Sequence, residues 1–111
     1  MRSGSTAVLK VQTICAYIQT HLNEELTYAD LMKRLGFKRH VFAVHFPKQM
    51  GMTVTVFIIR QRHQQGIKLV KNGMRIEEAA YQSGFRTYSH FYKTFVNEFG
   101  ISPRAYFASD R

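Results

Sequence analysis

Tyr88, Ser89, Tyr92 and Lys93 fall between the members of a stripe in which Phe91, Phe95 and Phe99 recur every fourth residue. On a helix that stripe occupies one face and turns toward a core, so the residues between it face outward. They present an ammonium group, hydroxyls and tyrosine ring edges. These groups suit the acceptor-rich edges of bases and the oxygens of phosphates: Lys93 can donate to guanine O6 or N7, and Ser89 can bond either a base or a phosphate. All four lie toward the N-terminal end of the helix, the end that a helix-turn-helix presents to base edges. The alternative for Tyr88 and Tyr92 is half-buried packing, and for Lys93 a solvated charge.

A second set lies earlier in the chain. Phe42, Phe46 and Met50 repeat the four-residue spacing, and Arg39, His40, Ala43 and Val44 stand at the positions matching the first set. Arg39 is the better hydrogen-bonding reader, while Ala43 and Val44 offer only apolar contact, with a thymine methyl or with another protein element. Lys38, Lys48, Arg86 and Arg104, near turns and helix ends, are the expected phosphate partners.

Other chemistry finds little support. There is no glycine-rich nucleotide loop, nucleophile elbow or acid/base dyad, so no catalytic residue, no cofactor and no enzyme activity is expected. Five histidines (His21, His40, His45, His63 and His90) lack the i,i+4 pairing of a helical zinc site, and no metal is expected. Cys15 is the single cysteine, which excludes an internal disulfide and a cysteine-based zinc finger and points to a reducing cytoplasm. No run approaches the ~18 apolar residues of a membrane span.

The two sets are positioned by a repeat. Leu26, Leu31, Gly36, Phe37, Phe46 and Gly51 return as Met74, Ala79, Gly84, Phe85, Phe95 and Gly100, with one extra residue in the second turn. Each copy reads as a short capped helix, a glycine turn and a longer basic-aromatic helix, and period-two alternation is nearly absent. The expected fold is all-α.

A first helix is predicted over 8–21, with Val11, Ile14, Cys15, Ile18 and Leu22 along one face. Thr27 and Asp30 form a cap for the second helix, flanked by Leu26 and Leu31, and Gly36 ends it. A third helix over 39–50 must kink or loosen near Pro47. Thr53 caps a long helix to about Lys71, roughly 28 Å at 1.5 Å per residue and close to one duplex turn of ~34 Å. Gly66 inside it reads as a close-packing site. Helices over 76–83 and 88–99 follow, and Ser102-Pro103 starts a terminal turn. The predicted organisation is a flexible leader (1–10), a first helix-turn-helix lobe (11–52), a linker helix (53–72), a second lobe (73–107) and a tail (108–111).

Sixteen Lys and Arg against seven Asp and Glu give a net charge of +9, which attracts polyanions. Double-stranded DNA is the expected partner. The alternative is a basic helical interaction module that binds a protein or an anionic membrane surface.

The run Ile76-Glu77-Glu78-Ala79-Ala80, Gly84-Phe85, Ser89-His90-Phe91-Tyr92-Lys93-Thr94-Phe95 and Gly100-Ile101-Ser102-Pro103-Arg104-Ala105-Tyr106 resembles the DNA-binding domain of AraC/XylS transcription regulators. The resemblance extends back through Gly66 and Arg62 to about Val11. It implies two homeodomain-like lobes whose recognition helices enter successive major grooves, a mainly structural Arg62, and a bacterial transcription regulator. Double-stranded DNA, with RNA polymerase as a further partner, is then expected for a monomeric chain without a membrane role. Lys38 replaces a usual serine, Val44 a usual arginine and Pro47 a usual basic residue, so base reading is expected more from the second unit.

Overall fold

A computed structural model describes residues 3–109 and contains no strand among them. The helices are α1 (Ser3–Thr20), α2 (Tyr28–Leu35), a π-helical segment (Val41–His45) running into α3 (Phe46–Met50), α4 (Val54–Lys71), α5 (Ile76–Gln82), α6 (Tyr88–Phe99) and α7 (Pro103–Ser109). The chain divides into two compact units, with the boundary between Ile58 and Ile59. That boundary lies inside α4, whose Val54, Phe57 and Ile58 pack in the first core and whose Ile67 packs in the second.

In the first unit α1 buries Val11, Ile14 and Ile18, and Ala7 is 9% exposed one turn earlier. Ala7 continues the same stripe at a spacing of four. This explains why the helix starts at Ser3, where a flexible leader and a start near Val8 were expected. Met1 and Arg2, also assigned to the leader, lie outside the described residues. The core is completed by Leu31, Val41, Phe42, Phe46, Val54, Phe57 and Ile58.

The start of α2 is fixed locally. Asp30 N–H donates to Thr27 Oγ1 at 3.1 Å while Thr27 N–H reaches back to Asp30 Oδ2 at 3.4 Å, satisfying donors that the first turn otherwise leaves unpaired. At its end Gly36 takes φ 72° and donates its N–H to the Met32 carbonyl. A side chain at that φ would be strained, so glycine makes the turn into the next helix.

Pro47 sets the geometry of the third helical stretch. Having no N–H, it cannot bond the Ala43 carbonyl, and its ring would collide with that carbonyl in a regular α-helix. The chain widens instead into a π turn over Val41–His45, closed by Phe46 N–H donating to the Val41 carbonyl. The α-helix restarts at Phe46, placing Pro47 in a first turn where no intrahelical acceptor needs its proton.

The second unit packs Ile67, Ala80, Phe85, Phe91 and Phe95, with Phe99, Tyr106 and Phe107 half-buried around them. Thr87 Oγ1 accepts the His90 N–H at 3.1 Å and caps α6, while Ser102 Oγ does the same for Ala105 at 3.1 Å in α7. α7 runs to Ser109, two residues into the expected tail, whose last two positions, 110 and 111, lie outside the described residues.

Gly66 is buried in α4 against α5 and α6. A methyl group built there would sit 3.4 Å from Ser83 Oγ and 3.5 Å from Phe91 Cε1, an ordinary contact. The site is close-packed but has room for one carbon. Gly66→Ala should therefore raise the stability of the second unit by about 0.5–1 kcal/mol through helix propensity. Gly66→Leu should lower it by about 1–3 kcal/mol through overpacking. Denaturant unfolding of both variants measures the two signs.

Candidate nucleic-acid interface

The third helical stretch of the first unit buries Val41, Phe42 and Phe46 and leaves Arg39, His40, Ala43 and Val44 exposed, Val44 at 47%. Lys38 and Lys48 are exposed at either end of the stretch. The widened turn also brings the His40 and His45 rings edge to face, with centroids 4.6 Å apart. The guanidinium carbon of Arg39 lies 5.4 Å from the centroid of the Tyr28 ring. Hydrogen-bonding donors thus cluster at the N-terminal end of the stretch, and apolar side chains come one turn later.

In the second unit Phe91 and Phe95 are fully buried, which turns Ser89, Tyr92 and Lys93 outward on α6. Tyr88 is half-buried, its ring 5.7 Å from Phe91 and 6.2 Å from Tyr92. Its ring therefore packs. Burial raises the phenol pKa, Glu77 adds to the effect and Arg104 opposes it, so the hydroxyl remains a donor at neutral pH. Arg86 and Arg104 are exposed. Arg62 is half-buried, and desolvation lowers its pKa.

Sequence reasoning missed a polar group at the centre of this unit. His63 of α4 is fully buried between the rings of Phe85, Phe91, Phe95 and Phe99, all with centroids within 5.8 Å. Its Nδ1 meets Glu98 Oε1 at 2.5 Å and its Nε2 meets Thr94 Oγ1 at 2.9 Å. Glu98 and Thr94 both belong to α6. The polar link therefore ties α4 to the helix that carries Tyr92 and Lys93.

A neutral imidazole fits by donating Nδ1–H to the carboxylate and accepting the Thr94 hydroxyl at Nε2. A protonated one would donate to Thr94, whose hydroxyl would then donate to the His90 carbonyl 2.8 Å away. Desolvation lowers the His63 pKa, Glu98 partly offsets this and His90 opposes the charge. Among the described residues no three His, Cys, Asp or Glu side chains converge as a metal cluster.

The helix-turn-helix domain family matches residues 18–109 of this chain. The chain belongs to the AraC/XylS-type helix-turn-helix DNA-binding domains. It is 32% identical over 81 residues to the uncharacterized HTH-type transcriptional regulator YbfI of Bacillus subtilis, covering 73% of this chain and 30% of that protein. It is 27% identical over 99 residues to the probable transcriptional regulator LumQ of Photobacterium leiognathi, covering 88% of this chain and 40% of that one.

The chain thus spans less than half the length of either relative. In fold it is similar to the C-terminal domain of AraT, a response regulator from Geobacillus stearothermophilus, with a TM-score of 0.79 at 22% identity over 86% of this chain and 81% of that one. This AraC/XylS-type DNA-binding domain is all-helical among the described residues, with two helix-turn-helix lobes.

Because His63 has a lowered pKa in the folded state, the unfolded chain binds its proton more tightly. The stabilisation is complete above the ordinary histidine value of about 6.5 and is lost as pH falls below it. Unfolding of the second unit should therefore become easier from pH 7.5 toward 5, with a slope of at most about 1.4 kcal/mol per pH unit from this group. His63→Leu should remove that component, as shown by comparing its unfolding midpoints with those of the parent across the same range.

Proposed function

We propose that the domain reads one asymmetric DNA duplex as a monomer, with the helix of residues 39–50 and α6 each entering a major groove. The supporting observation is that the two repeat copies bury the same phenylalanine register, Phe42/Phe46 and Phe91/Phe95, and leave the intervening side chains exposed. Arg39, His40, Ala43 and Val44, and then Tyr88, Ser89, Tyr92 and Lys93, are the proposed base contacts. Lys38, Lys48, Arg86 and Arg104 are the proposed phosphate contacts.

Lys93 is the strongest candidate for bonding guanine, and Ala43 with Val44 for meeting thymine methyls. Because the two readers differ in sequence and are joined covalently, the site need not be symmetric. The domain would deliver a transcription regulator to its promoter in the bacterial cytoplasm, with RNA polymerase as a further partner.

Selection of duplexes from a random pool tests this reading, with anionic vesicles as the competing arm. The expected site is non-palindromic, bound by one chain, with a footprint of roughly 20 base pairs. If about six phosphates are neutralised, log affinity should fall against log salt with a slope near −5. A strict palindrome bound by two chains, or salt-insensitive affinity, would contradict the proposal.

Lys93 and Phe95 separate reading from folding. Lys93→Ala should keep the parent's melting behaviour, cost about 1–3 kcal/mol of specific binding and relax preference at one or two base pairs. Phe95→Ala should lower stability by about 3–5 kcal/mol, with DNA binding failing only as folding fails. Equal weakening of all sequences by Lys93→Ala would reassign that residue to a phosphate.

A further inference from the structure

We propose that Tyr28 is a positioning residue for Arg39, its ring holding the guanidinium so that the in-plane N–H donors meet a DNA acceptor already oriented. The proposal rests on the DNA-reading role of the first unit. Thr27 and Asp30 lock the backbone at the start of α2, and Tyr28 is the first residue of that helix. Its half-buried ring lies 6.1 Å from that of Phe42, a fully buried residue. A ring set by a cap on one side and a core contact on the other has little freedom of its own.

Arg39 stands where the next helix begins, exposed, with its guanidinium carbon 5.4 Å from the Tyr28 centroid. Among the described residues none of the ion pairs involves Arg39, so no described carboxylate competes for its donors. A guanidinium held face-on against a ring keeps its five N–H groups in the plane and available. A long exposed side chain otherwise loses rotamer freedom on binding, and a side chain held in place beforehand loses less.

The arrangement belongs to the first unit alone: Ile76 stands at the repeat position of Tyr28 and offers no ring. It is also the unit that depends on such help, because Ala43 and Val44 have no side-chain donors and Arg39 shares that work only with His40. The acceptor is either a guanine edge or a phosphate oxygen pair. Both reward a fixed planar donor.

The test compares Tyr28→Leu, Tyr28→Phe, Arg39→Ala and the Tyr28→Leu/Arg39→Ala double variant on the selected duplex and on a scrambled one, after matching their thermal melts. Tyr28→Leu should weaken binding about two- to five-fold. Tyr28→Phe should bind like the parent, and Tyr28→Leu should add no loss in the Arg39→Ala background. Weakening confined to the selected duplex assigns Arg39 to a base, and equal weakening on both assigns it to a phosphate.

A second readout needs no DNA. Ring-current shifts of the Arg39 side-chain protons in the free protein should persist in Tyr28→Phe and vanish in Tyr28→Leu. Parent-like binding by Tyr28→Leu, an undiminished loss in the Arg39→Ala background, or the absence of those shifts in the parent would overturn the proposal. Shifts present in a parent that binds no duplex would overturn the DNA-reading role, and the positioning role with it, while leaving the ring contact in place.

Discussion

Burial of one phenylalanine register in each copy is the constraint from which the candidate interface arises. Phe42 and Phe46 in the first unit, and Phe91 and Phe95 in the second, are fully buried, and burying a side chain of that size contributes about 1.5–3 kcal/mol. Rotating either helix about its axis would bring these rings into water and turn polar side chains into the core. The outward direction of the remaining positions is therefore a consequence of core packing. Exposed positions such as Ala43, Val44 or Lys93 can therefore change with little effect on the fold.

The two units stabilise that register differently. In the first, an aliphatic and aromatic core suffices, and the proline is absorbed by a wider turn. The second places a histidine at the centre of four phenylalanine rings. A buried polar side chain there is tolerated because Glu98 and Thr94 satisfy both ring nitrogens, and among the described residues no buried side-chain polar atom lacks a partner. Replacing such a network with apolar residues is often neutral or stabilising. What an apolar residue cannot reproduce is the pair of directional bonds from α4 to two positions, one turn apart, on α6.

Much of the fold was legible in the residues. Thr27, Asp30 and Gly36 announce a helix with both ends marked because their side-chain and backbone preferences are local, and the structure places that cap and turn as expected. The four-residue phenylalanine spacing identified the buried face for the same reason. Pro47 signalled a disturbed helix, yet the form of the disturbance depends on how carbonyls three and four residues back are rearranged.

The start of α1 was misplaced because small polar residues resemble a leader, whereas the deciding contact is the burial of Ala7. His63 was the deeper omission. Its partners are 31 and 35 residues away in the chain, and no local spacing pairs a histidine on one helix with a threonine and a glutamate on another.

The copies have diverged in the chemistry they expose while keeping the same fold. The second presents an ammonium group and hydroxyls along α6, donors that can discriminate bases by hydrogen bonding. The first concentrates its donors at Arg39 and His40 and places two apolar side chains after them, whose chemistry offers a base only methyl contact. The widened turn lies within that stretch, at Val41–His45, and includes both Ala43 and Val44. A proline that alters helical pitch therefore sets the spacing between the first unit's exposed donors and its apolar pair, and on the proposed reading it would act on recognition as well as on folding.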